Sequence, residues 1–266
     1  MQIQREDANG DLYQMSLYSA GVLWGSSPRQ RAGRRRLTDA AKREINRQQR
    51  KWRLMQLLNA NFRGGRDLFV CLTYREVPES EGRALKNFHA RMRRAYARLG
   101  IEYRYILATE THDMDGEPVR LHHHVILSGA HGHRLAEVVR GAWTCGTADV
   151  RTLREGADMF KDTAQYLLKS DAHQPKGARR YETSRNLRPP AEPVRLRLPE
   201  SECGEVPPGV TILEHEVKAN EFGRYETMVG RIYDHTAFDA YWARQRRRAA
   251  PDPWERLARR HRRKRE

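Results

Sequence analysis

Cysteine is scarce in this chain, with three among 266 residues. Cys71, Cys145 and Cys203 are odd in number and far apart, which excludes a disulfide framework and paired-cysteine zinc motifs and leaves packing as their role. Long hydrophobic runs are missing as well. No stretch reaches the roughly eighteen apolar residues of a membrane span, and the start MQIQREDANGDLY lacks the charged-then-apolar pattern of a secretory leader. A reducing cytoplasm is the expected setting. Internal repeats are absent, and acidic residues are outnumbered, 34 against 50 Lys and Arg, for a net charge of +16.

What is present begins with enough apolar material, 38% of the chain, to bury a core. The positive charge is concentrated in two arms. Residues 29–53 carry eleven Lys/Arg against Asp39 and Glu44, a net +9; residues 244–266 carry eleven against Asp252, Glu255 and Glu266, a net +8. The remainder is nearly neutral. Two basic arms on a balanced body point to a polyanionic partner, nucleic acid before any other, because bound phosphates release counterions. The plainer alternatives are a solvated basic surface or contact with an acidic membrane. No apolar helix face or lipidation signal accompanies the arms, so no membrane partner is expected.

Hydrophobic spacing orders the body. DLYQMSLY (11–18) alternates weakly, as a strand does, and WGSSPRQRAG after it reads as loop. Thr38 caps a long helix with a sparse stripe of Ile45, Trp52, Met55 and Leu58, stopped at Gly64 and Gly65. DLFVCLTY (67–74) is short and continuously apolar, which predicts a central strand. Leu85, Phe88, Met92, Tyr96 and Leu99 recur at helical spacing over 81–100. EYRYILATE (102–110) and LHHHVILSG (121–129) read as strands paired antiparallel across a short polar linker, followed by a short helix at HRLAEVVRGAW, a strand at GTADVRTL and a helix over Glu155–Ser170. The order β-α-β-β-α-β plus a helix is the split βαβ plan. The expected fold class is therefore α+β: a four- to five-stranded antiparallel sheet on a ferredoxin- or RRM-like plan, with helices on one face and the other left for substrate, plus a basic helical N-terminal arm and a C-terminal extension. Within that extension, DAHQPKGARRYETSRNLRPPAEPVRLRLPE reads as an extended surface segment. Residues 209–233 read as a hairpin turning near Asn220–Gly223, and the tail past Tyr241 as a basic helix broken at PDP.

RLHHHVILSG carries the chemistry. On a strand, alternate side chains share a face, so His122 and His124 point one way and His123 the other, with about 7 Å between the paired Cβ atoms at ~3.3 Å rise per residue. A strand histidine is ordinarily a packed, hydrogen-bonded residue, but two on one face can converge on one divalent ion. Glu110, at the end of the neighbouring strand, is well placed as third donor, with His112, Asp113 and Asp115 as competitors. Two imidazoles and a carboxylate suit Mn²⁺ or another first-row ion, with Mg²⁺ as an alternative. In AQYLLK, Tyr166 and Lys169 lie three apart on one helix face. A tyrosine near an ammonium or a metal can attack phosphorus, although a Tyr-x-x-Lys pair by itself is commonplace on helices.

FVCLTY, YILATE, HHH followed by apolar residues, and AQYLLK occur in this order. Together they resemble the motifs of the HUH endonuclease superfamily, specifically the rolling-circle replication initiators of phages and plasmids. The basic helix ending in NANF and the later SRNLRPP extend the likeness to about residues 30–195. The resemblance implies that His122 and His124 are metal ligands with Glu110 as the third, and that Tyr166 is the nucleophile linked to the 5′ phosphate of a nicked strand. Lys169 then stabilises charge or positions DNA, and HHHVIL fits a His-apolar-His plan with His123 in the apolar slot. The implied cofactor is a divalent metal ion, Mg²⁺ or Mn²⁺. The implied partners are single-stranded DNA or an origin hairpin, then a host helicase and polymerase. The domain organisation expected is an N-terminal segment and basic loop (1–37), an endonuclease domain with its leading basic helix (38–198) and a C-terminal hairpin with basic tail (199–266).

Some phage initiators use two tyrosines. Here Phe160 stands where a second is sought, so termination would call on a second protomer, with Tyr181 as an alternative nucleophile. Arg185 and Arg188 of SRNLRPP either touch DNA or tie an extended segment to the core. Two other readings compete. In a plasmid mobilisation relaxase the nucleophile precedes the histidines, as Tyr13 or Tyr18 does. In a non-enzymatic basic DNA-binding protein the histidines are core and the arms alone bind.

Overall fold

The structure, a computed structural model, describes residues 2–19, 39–113, 115–130, 134–156, 158–169, 179–199, 204–220 and 223–249. Thr38, the loop at 24–33, Cys203 and the tail with its PDP break lie outside the described residues. The elements in chain order are β1 (Gln2–Asn9), β2 (Leu12–Ser19), α1 (Asp39–Asn61), β3 (Leu68–Tyr74), α2 (Glu81–Arg98), β4 (Tyr105–His112), β5 (Pro118–Leu127), α3 (Leu135–Ala142) and β6 (Gly146–Thr152). They continue with α4 (Lys161–Leu167), β7 (Glu182–Thr183), β8 (Val194–Leu198), β9 (Val210–Asn220), β10 (Gly223–Ile232) and α5 (His235–Arg248). They fall into two compact units: Asp39–Pro189, and a second made from both ends of the chain, Met1–Thr38 with Pro190–Glu266.

In the central unit the sheet order is β6-β3-β5-β4-β7, antiparallel throughout. Without the two-residue edge strand β7, this is the arrangement a β-α-β-β-α-β chain gives on the split βαβ plan. One sheet face presents Val70, Leu72, Tyr74, Leu107, Val125 and Leu127 to Leu85, Phe88, Met92 and Tyr96 of α2 and to Leu135, Val139 and Ala142 of α3. Alternation on the strands and three- and four-residue spacing on the helices put these apolar groups together, each contributing about 1.5–3 kcal/mol by leaving water. Ser80 starts α2 by accepting from the Arg83 amide. At the junction of α1 and β3, buried Asp67 accepts from the Gly129 amide at 2.7 Å and the Arg63 amide at 2.6 Å. Gly129 is required there: a Cβ would sit 1.9 Å from the Arg66 carbonyl oxygen.

The opposite face is not bare. It carries Phe69, Cys71, Ala108, Glu110, His122 and His124, and α4 lies over part of it, with the Tyr166 ring 5.9 Å from Phe69 and 4.8 Å from His124. α4 is also shorter than the helix expected over Glu155–Ser170. Met159 and Phe160 take left-handed backbone angles, φ 53° and 63°, each costing about 1–3 kcal/mol for a non-glycine residue. Both side chains are buried, and Asn59 Nδ2 donates to the Met159 carbonyl at 2.8 Å while Asp158 Oδ2 accepts from the Asp162 amide at 2.6 Å. The apolar spacing that reads as helix is thus spent on a tight turn that drives Met159 and Phe160 into the core.

The terminal unit has the sheet order β8-β1-β2-β10-β9. Tyr13, Met15 and Leu17 of β2, Val194, Leu196 and Leu198 of β8 and Met228 of β10 pack with Phe238, Tyr241 and Trp242 of α5. The 209–233 segment is the hairpin its sequence predicts. VRLRL in the extended segment is a strand, with buried and exposed residues in strict alternation. β1 has no apolar alternation and instead buries Gln2, Gln4 and Glu6.

Candidate active site

Strand register assembles the site. Glu110 of β4 pairs directly with His122 of β5, Ala108 pairs with His124, and on the other side His124 pairs with Cys71 of β3. Neighbouring strands therefore supply donors side by side on one face. His122 Nε2 and His124 Nε2 each lie 2.9 Å from Glu110 Oε2, and 3.1 Å from one another. Donors at right angles around a small divalent ion with bonds of about 2.1 Å are ~3.0 Å apart, so this triangle has the dimensions of a coordination face.

The protonation states suit that use. Burial pushes the His124 imidazole down to about 4, which keeps it neutral near pH 7 with a lone pair to give. His122 Nδ1 donates to the Arg120 carbonyl at 2.7 Å, which fixes the ring and leaves Nε2 as the free ligand atom. Burial works to raise the Glu110 carboxyl, but hydrogen bonds from Lys169 and His124 and the Lys169 charge outweigh it and hold the group below its ordinary value. Glu110 is thereby an anion although only 4% exposed.

Lys169 Nζ lies 2.8 Å from Glu110 Oε2 and 3.9 Å from the centroid of the Tyr166 ring. Burial pulls its ammonium down, but hydrogen bonds to Glu110 and Tyr166 hold it above the usual lysine value, so the cation persists. Tyr166 is 42% exposed. A cleft of about 380 Å³ runs beside it, lined by Arg47, Gln48 and Lys51 of α1 and by Asp162, Gln165 and Lys169. Lys51 Nζ donates to Gln165 Oε1 at 2.8 Å across it. Cations thus line the approach to the tyrosine.

All five residues singled out in the sequence, Glu110, His122, His124, Tyr166 and Lys169, converge here. Their competitors lie elsewhere. Asp113 Oδ1 closes the β4–β5 turn by accepting from the Asp115 and Glu117 amides, and His112 sits beyond a register shift, opposite Pro118. His123 is in the core, its Nε2 2.9 Å from Tyr74 Oη and its Nδ1 3.0 Å from Thr109 Oγ1. Phe160 is buried and Tyr181 lies just ahead of β7. SRNLRPP is tied to the core, as the Arg188 amide donates to Asn61 Oδ1 and Asn61 Nδ2 donates to the Arg188 carbonyl. One residue is absent from the sequence-based set. Cys71, expected to be a packing residue, is on the site face, and its Sγ lies within 4.8 Å of ligand atoms of His122 and His124. A Cys/His/His group that can bind a metal is therefore present. Only the β3–β5 register reveals it, and that register is not written in either strand alone.

The family model for the replication-associated protein ORF2 matches residues 67–171. Those residues form a replication-associated domain. The matched family is one of rolling-circle replication initiators, in keeping with the HUH resemblance, and its match begins at β3 and ends just past Lys169, enclosing every site residue. It supports a replication-associated function and points to nuclease activity in general. Comparison with curated proteins and with solved structures gave no match. Among the described residues no helix is long and apolar enough to cross a membrane.

Proposed function

We propose that this chain initiates rolling-circle replication by nicking and rejoining single-stranded DNA through Tyr166, with Glu110, His122 and His124 holding Mg²⁺ or Mn²⁺. The observation that carries the reading is the convergence of a half-exposed tyrosine and a lysine cation with a carboxylate and two neutral-capable imidazoles on one sheet face. When bound, the ion would polarise the scissile phosphate and offset its charge.

The chain's own residues supply the rest. Phe69 and His124 pack against the Tyr166 ring and set its direction. Tyr166 Oη forms a bond to phosphorus as the bond from phosphorus to the 3′ oxygen breaks; the phenolic proton departs to solvent and the leaving oxygen is protonated to a 3′ hydroxyl. The downstream strand stays attached as a 5′ phosphotyrosine, and attack by a 3′ hydroxyl reverses the step and rejoins the strand. Lys169 faces the charge that develops on the transferring phosphoryl group. Arg47 and Lys51 line the cleft along which flanking phosphates would lie. An origin hairpin exposing an unpaired strand fits such an open-sided site, and a helicase and polymerase would extend the freed end. With a single tyrosine in the site, termination would draw on a second protomer.

The relaxase reading places the nucleophile at Tyr13 or Tyr18, but Tyr13 is wholly buried against Phe238. The test is a pool of 3′-labelled single strands incubated with Mn²⁺ and run on a denaturing gel. Label should become covalently attached to the wild type and to Tyr18→Phe, and not to Tyr166→Phe. Attachment that survives Tyr166→Phe, or salt-sensitive binding with no attachment by the wild type, overturns the proposal.

A further inference from the structure

The terminal unit lies outside residues 67–171, and its sheet has a second face, turned away from α5. Strand register aligns one residue from each of its five strands in a row there: Arg197 opposite Ile3, Ile3 opposite Tyr18, Tyr18 opposite Tyr225, and Tyr225 opposite Lys218. Two tyrosines stand side by side at the centre and a cation closes each end, across about 19 Å at ~4.8 Å between strands. Tyr225 is 43% exposed, Tyr18 is half-buried, and Arg197 and Lys218 are exposed.

The next row strengthens the pattern. Arg195 is directly opposite Arg5, beside Ser16 and Thr227. Like charges placed opposite one another destabilise a sheet, and Asp7, 2.9 Å from Arg5, offsets the Arg5 side of the pair. A phosphate between the two guanidinium groups would turn their repulsion into attraction. On the other face, Phe238, Tyr241 and Trp242 of α5 fill the core, so these paired tyrosines are not needed to close it.

We infer that this face is a second binding surface, on which the adjacent rings of Tyr18 and Tyr225 stack on bases of single-stranded DNA while Arg5, Arg195, Arg197 and Lys218 hold the flanking phosphates. Stacking on an aromatic pair framed by cations is tolerant of sequence, since every base has a flat face. No base-edge reader stands in either row, so the surface holds a strand without choosing its sequence. This inference rests on the reading above for its choice of DNA, and the two fail separately.

The test uses the full chain, a fluorescein-labelled oligothymidylate and chelator, so that no nicking is involved, with anisotropy as the readout. Tyr225→Ala should weaken binding about tenfold and the Tyr18→Ala/Tyr225→Ala pair more, in line with stacking losses measured per base. The corresponding Phe variants should bind like the wild type, because the ring is kept. Arg195→Ala with Arg197→Ala should flatten the dependence of log affinity on log salt by about 1.4, from ~0.7 per phosphate contact. Unchanged affinity in Ala variants that melt like the wild type overturns the inference, as does equal loss in the Phe variants. Should the Ala variants not fold, wild type photo-crosslinked to 5-iodouracil DNA decides: crosslinks at Tyr18 or Tyr225 support the surface, and crosslinks confined to other residues overturn it.

Discussion

Each unit buries one strand glutamate, and the two carboxyls are driven in opposite directions. Glu6, in the terminal unit, accepts from the Tyr241 hydroxyl at 2.9 Å and from the Gln4 amide, and one of its oxygens finds no partner among the described residues. Burial dominates and pushes its carboxyl up toward the neutral acid. Glu110, in the central unit, is also nearly inaccessible, but Lys169 and two imidazoles crowd one of its oxygens and hold it down as an anion. Equal burial therefore does not mean equal charge. A carboxyl placed among neutral hydrogen-bond partners is a structural group; one placed among cations and lone-pair donors is prepared for a metal or a phosphate.

The contrast can be broken at either end. The largest effect is expected from Glu110→Gln, which removes the anion and should weaken Mn²⁺ binding by at least ~10–100-fold, the scale of perturbed ligand shells, and abolish covalent DNA attachment. Glu6→Gln should change neither, by calorimetry and by gel. Next, Lys169→Met leaves burial of Glu110 opposed by the histidines alone, so its carboxyl should titrate above the model value of 4.5 when followed by carbon NMR. A lower value would show that Lys169 is not what separates the two glutamates.

Cys71→Ser should lower Zn²⁺ affinity about tenfold and leave Mn²⁺ affinity within about threefold, because a thiol favours softer ions. Competition with a chelating dye measures both, and equal losses would remove Cys71 from the donor set. The smallest effect is Glu6→Gln on stability. The folded pKa of Glu6 lies above its unfolded value of 4.5, so the native state binds the extra proton and the wild type loses stability as pH rises from 4.5 through the folded value. The amide has no proton to lose. Urea midpoints of the variant should exceed those of the wild type at about pH 8 by about 1 kcal/mol and converge with them in mild acid, and a difference independent of pH would contradict the assignment.

Much of this site was legible because its parts are local. His122 and His124 share a face through the two-residue period of a strand, and Tyr166 and Lys169 share one through the helical turn; neither statement needs the rest of the chain. Glu110 was reachable because a short linker forces β4 against β5. Cys71 was not, because it enters through β3, separated from β5 by a whole helix and strand, and a one-residue slip in that pairing would send its thiol to the other face. The start of α4 departs from its sequence pattern for a related reason: spacing shows which residues can share a face, but a turn held by Asn59 can bury Met159 and Phe160 just as well.

By itself, the sequence determined the α+β class, the split βαβ order, the basic arms and the residue types of the site, since these follow from period, composition and neighbouring residues. Tertiary structure alone decided that both ends of the chain join in one five-stranded sheet and that Glu6 and Glu110 carry opposite tendencies. It also decided that Tyr18 and Tyr225 stand side by side. Those outcomes depend on pairing between segments from opposite ends of the chain, and the free energy that fixes such pairing is spread over the whole interface rather than written in either partner.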